Sequence, residues 1–118
     1  MNEETSLPGK TTVAPEVLVT IARLEALSVD GVSRMAPVPG GVNRFFRRGA
    51  NEGVRIQIED EVVYVDLYLV LDQDLNIREV SRNVQHRVAR AIREMVGMDI
   101  GAVNVHIEDI DYAEKEEA

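Results

Sequence analysis

The sequence predicts an α+β fold: two helices on one face of a mostly antiparallel sheet, in the order βαβββαβ. Three observations carry that reading. From Asn76 to about Gly97, Ile77, Val80, Val84, Val88, Ile92 and Met95 recur every three or four residues. At 100° per residue they make one stripe with Ala91 at its edge, while five arginines fall on the other side. Val62 to Leu71 is a long apolar run broken by Asp66, and Val103 to Glu108 alternates apolar and polar. A strand, a helix and a strand in succession need a sheet to pack on, and the rest of the chain supplies it.

Each element follows in order. Residues 1–8 read as a disordered lead-in, residues 9–111 as one domain, and 112–118 as an acidic tail. Lys10 to Val13 is β-rich and short, as an edge strand is. Pro15 suits the first position of a helix running to about Ser28. Val17, Leu18, Ile21, Ala22 and Leu24 form its expected buried side, and Arg23 and Glu25 its solvated one. Asp30-Gly31 signals a turn into a short strand, Val32 to Met35. Val54, Ile56 and Ile58 alternate with Arg55, Gln57 and Glu59, a half-buried strand. The Glu59-Asp60-Glu61 turn joins it to the long strand as a hairpin. Val63, Val65, Leu67, Leu69 and Leu71 take one side of that strand. Asn76 and Gly97 are the expected cap residues of the second helix.

Pro37 to Gly53 is the longest irregular stretch. It holds both phenylalanines, in Val42-Asn43-Arg44-Phe45-Phe46-Arg47-Arg48. The i, i+3, i+4 spacing of Val42, Phe45 and Phe46 predicts a helical turn with a substantially buried ring. The arginines around them make the segment an adaptable contact site.

Composition narrows the function. The 118 residues carry a formal charge of −8, against a general binder of nucleic acid or anionic membrane. Without cysteine there is no disulfide, thiolate metal site or thiol nucleophile. The acidic start lacks an apolar signal segment, and no stretch approaches the ~20 apolar residues of a membrane span. His86 and His106 are expected on opposite outsides of the domain, too far apart to share a zinc ion. Neither a nucleophile elbow nor a phosphate-binding loop is present. Asp66, the one carboxylate inside a strong strand, is the sole candidate acid, and pairing with a neighbouring arginine is its ordinary role. No catalytic, cofactor or metal residue is therefore assigned, and the expectation is a protein that is not an enzyme.

The second helix is basic on an acidic chain: five arginines against Glu79 and Glu94. This supports an alternative function, a nucleic-acid-binding regulator using that helix. The Gly-x-x-Gly loop and the aromatic strand signature of common RNA-binding folds are absent.

Four stretches in order resemble one bacterial family, the alkaline-shock or envelope-stress-response proteins. They are Val29 to Met35, Val65 to Val70, Ile77 to Gln85, and Val103 to Ile107, within about residues 9–111. Asp72-Gln73-Asp74 departs from the glycine turn expected before the helix. The resemblance implies a non-enzymatic, cofactor-free cytoplasmic protein that accumulates under envelope stress and self-associates. It also implies a place beneath the membrane, held by a membrane-anchored protein partner, and it leaves open the alternative of a lipid-metabolism regulator using the arginine-rich second helix.

The residues propose their own contact surfaces. Behind the helix-facing side of the long strand, Val62, Tyr64, Tyr68 and Val70 form an apolar patch on the outer sheet face, suited to self-association. Arg78, Arg82, Arg90 and Arg93 of one copy are placed to meet the acidic 59–61 turn and Asp72–Asp74 of another.

Overall fold

The computed structural model describes residues 8–40 and 52–112. In chain order the elements are α1 (Pro15–Leu27), β1 (Val32–Met35), β2 (Val54–Glu59), β3 (Val62–Asp72), α2 (Ile77–Val96) and β4 (Asp99–Asp111). The expected α+β class holds, with both helices on one face of a mixed sheet.

β3 is the centre of the sheet. β2 pairs antiparallel with Val62–Leu67, and β1 pairs antiparallel with Leu69–Leu71. The two short strands thus share one edge of β3, end to end. Their junction is Tyr68, whose N–H donates to the Gly53 carbonyl (2.9 Å) and whose carbonyl accepts from the Ala36 N–H (2.8 Å). A side chain at Gly53, where φ is +75°, would collide with the carbonyl oxygens of Ala36 and Tyr68. β4 pairs with the whole of β3 in parallel, as a crossover through a helix requires.

The core lies between sheet and helices. Val63, Val65, Leu67, Leu69 and Leu71 are fully buried, as their alternation predicts, against Leu18, Val84, Val88 and Ile92. α2 starts and stops where its caps say: Asn76 Oδ1 accepts from the Glu79 N–H (3.0 Å). Gly97 is left-handed (φ 80°), and its N–H reaches the Arg93 carbonyl (3.0 Å). The helices run antiparallel, since Gly31 after α1 abuts Leu75 and Val80 at the start of α2.

Three expectations change. Lys10 to Val13 form no strand, so the order begins at α1. A strand needs a partner edge, and these residues instead pass beside the end of α2 and the β2–β3 turn. α1 buries Leu18, Val19, Ala22 and Ala26, while Val17 and Leu24 are exposed. Its apolar residues nearly encircle it, so packing and not periodicity selects the buried side. β4 is longer than the alternating stretch 103–108. Register shifts opposite Val63/Tyr64 and Leu69/Val70 leave Gly101 and Glu108 as extra residues. They reset the alternation, and Ile100 and Ile110 join the core.

Candidate functional site

The outer face of the sheet is not an open apolar patch. Tyr68 is 8% exposed and Val70 2%, covered by Ala36 and Val38 as the chain leaves β1. The ring of His106 stacks on Tyr68, centroids 4.5 Å apart and 13° from parallel. Tyr64 is half-buried and lies over Gly101, where a Cβ would overlap its ring. Of the proposed patch, Tyr68 and Val70 are thus removed from the surface by the protein's own chain.

Beside them the registers of β2 and β4 place Arg55 and Asn104 opposite Asp66, and His106 opposite Tyr68. Asp66 Oδ1 is 3.2 Å from Asn104 Nδ2 and 3.0 Å from His106 Nε2. Arg55 Nε lies 3.9 Å from the other carboxylate oxygen. A carboxylate with its oxygens so engaged holds its neighbours in place on the sheet. Asp66 therefore has the ion pair that sequence reasoning named as its ordinary role. That reasoning missed Asn104 and His106, because they reach Asp66 only through the parallel register of β4.

The arginines of α2 divide by partner. Arg87 Nε is 3.7 Å from Glu25 Oε1, and Arg90 Nε is 3.1 Å from Glu94 Oε2. Arg78, Arg82 and Arg93 are exposed and have no ionic partner among the described residues. At 100° per residue these three lie within about 60° of arc. Gln85, on the same flank, donates to the Val103 carbonyl of β4 (3.0 Å). His86 is exposed on this helix, on the other side of the domain from His106. Among the described residues no three His, Asp or Glu side chains gather to hold a metal.

At the C-terminal end of α2 a cleft of about 530 Å³ opens between residues 11–13, the β2–β3 turn and the start of β4. Asp60, Glu61 and Asp99 rim it, and Val13, Ile58, Val96 and Met98 supply its apolar lining. Asp60 and Glu61 hold a left-handed backbone (φ 51° and 66°). At the opposite end of α2, Leu75 and Ile77 are 40% and 46% exposed. Phe45, Phe46 and their flanking arginines lie outside the described residues. No helix among the described residues is long and apolar enough to cross a membrane.

Residues 3–112 match the model of the alkaline-shock protein family, described as having a cell envelope-related function. The chain is 32% identical over 117 residues to the uncharacterized protein YqhY of Bacillus subtilis, covering 98% of this chain and 87% of that one. It is also 32% identical over 108 residues to the uncharacterized protein Spy1535 of Streptococcus pyogenes, covering 91% and 82%. In three dimensions it is similar to two variants of MamM-CTD, with TM-scores of 0.53 and 0.52 at 13% identity. The first covers 83% of this chain and all of that domain. That likeness is one of fold.

Proposed function

Because the chain belongs to the alkaline-shock protein family, with its cell envelope-related function, we propose that it is a non-enzymatic interaction module. It self-associates in the cytoplasm and works at the inner face of the membrane through a membrane-anchored protein partner. The observation that carries this reading is how the polar groups are spent. Asp66, Asn104 and His106 satisfy one another on the sheet, whereas Arg78, Arg82 and Arg93 face outward without ionic partners among the described residues. Guanidinium groups held on a rigid helix are suited to recognising carboxylates of another protein.

Sedimentation velocity of the purified protein tests self-association, and fractionation of cells tests recruitment. The expected results are assembly at micromolar concentration and a membrane-bound pool that mild detergent releases together with its partner. A protein that stays monomeric and never sediments with membranes would overturn the proposal. The same arginines support a second reading, a regulator that binds nucleic acid through α2. That reading requires affinity that falls steeply with salt; no binding to RNA or DNA at low salt would end it.

A further inference from the structure

The cleft at the C-terminal end of α2 joins two chemistries. Its floor is apolar: Val13, Val96 and Met98 carry the core out to the surface, and Ile58 is 41% exposed. Its rim is acidic. The parallel register sets Asp99 opposite Val62, which brings it to the same end of the molecule as Asp60 and Glu61 of the β2–β3 turn. Glu59, also exposed, stands beside that turn. No lysine, arginine or histidine lines the cleft, and the only basic residue next in sequence to its lining is Lys10. α2 ends here, so the negative end of its dipole adds to the carboxylates. The volume of about 530 Å³ falls within the range of ligand pockets.

We propose that this cleft binds a basic, apolar-flanked peptide segment of another protein. Large apolar side chains of the segment cover the floor, and its lysines or arginines pair with the rim. Neither half suffices alone: a bare cation leaves Ile58 in water, and an apolar side chain leaves the carboxylates unmatched. The source of the segment follows from the reading of a membrane-anchored partner given above, on which this identification rests. Cytoplasmic flanks of membrane spans carry an excess of lysine and arginine beside interfacial aromatic residues. A domain of charge −8 is repelled by the anionic inner leaflet. A juxtamembrane segment of the partner lies between the two, and its cations offset the charge of both.

The hollow between the two helices lacks this chemistry. It is lined by Glu25, Arg87, Arg90, Ala91, Glu94 and Met95, and its charges pair with one another: Arg87 with Glu25 and Arg90 with Glu94. No net charge is left there to select a partner.

The test titrates the full chain into a fluorescein-labelled peptide of lysine, leucine and tryptophan and reads fluorescence anisotropy. A control peptide carries serine in place of leucine and tryptophan. Asp60→Asn with Glu61→Asn removes two rim charges and keeps a residue type that tolerates the left-handed backbone. Asp72→Asn with Glu108→Gln removes the same charge from exposed positions toward the other end of β3 and β4. Circular dichroism checks that both pairs keep the fold. Wild type is expected to bind the leucine peptide saturably and the serine peptide more weakly. The rim pair weakens binding by about tenfold or more, and the distant pair leaves it near wild type. In cells the membrane-bound pool falls for the rim pair alone. No binding to wild type, equal losses in both pairs, or equal binding of the serine peptide overturns the cleft as the site while recruitment stands. A wild type that never sediments with membranes overturns the anchored partner instead, and the peptide titration alone then decides the cleft.

Discussion

Single positions in this domain differ in how far a substitution spreads. A methyl group at Gly53 meets backbone oxygens of Ala36 and Tyr68, and backbone cannot swing aside as a side chain can. Gly53→Ala is therefore expected to cost about 2–3 kcal/mol of stability. Gly97→Ala opens onto empty space and costs only its left-handed backbone, about 1 kcal/mol. Urea unfolding of the two variants side by side measures the difference, and equal midpoints would contradict it. Asp66→Ala leaves Asn104, His106 and Arg55 without their shared acceptor and is expected to destabilise by about 1–2 kcal/mol. Asp66→Asn keeps an acceptor oxygen and loses less, as read from the same midpoints.

At the scale of elements, stability and contact chemistry compete in the β2–β3 hairpin. Its turn holds Asp60 and Glu61 in the left-handed region, where glycine is unstrained. Glu61→Gly is expected to stabilise the fold by about 0.5–1 kcal/mol, since relief of strain exceeds the added flexibility of the unfolded chain. The same change removes a carboxylate from the cleft, so it weakens binding of a basic peptide there. Thermal melting and peptide titration of one variant read the two effects, which have opposite signs. The start of α2 is simpler. Asn76→Ala deletes the side-chain acceptor of the Glu79 N–H and is expected to cost about 1 kcal/mol, measured by urea unfolding.

For the whole molecule the distribution of charge matters more than its sum. The total of −8 coexists with an outward row of arginines on α2 that have no ionic partner among the described residues. A contact between that helix and carboxylates of another protein is screened by salt, whose Debye length falls from ~10 Å at 0.1 M to ~3 Å at 1 M. Association through it is expected to weaken by severalfold across that range, because the contacting side chains are solvent-exposed. Sedimentation in a salt series checks this. Assembly that strengthens with salt would instead indicate a mainly apolar interface.

The sequence by itself determined what depends on near neighbours in the chain. The span of α2 follows from a cap at Asn76, a stop at Gly97 and an apolar stripe between them. The burial of the helix-facing Val63, Val65, Leu67, Leu69 and Leu71 of β3 follows from period-two alternation, because successive strand side chains point to opposite faces. Family resemblance rests on the same local motifs. Only the tertiary structure decided what depends on which strand lies beside which. The buried side of α1 was set by the surface it met, since a helix that is apolar nearly all round has no single preferred face. Lys10–Val13 had strand-forming residues and joined no edge of the sheet. Asp66 gained Asn104 and His106 across 38 and 40 residues through the parallel register of β4. Tyr68 and Val70 looked like open surface in the alternation, and the chain leaving β1 covered them. Local periodicity reports which residues share a face, but the position of a distant segment over that face is fixed only when the chain folds.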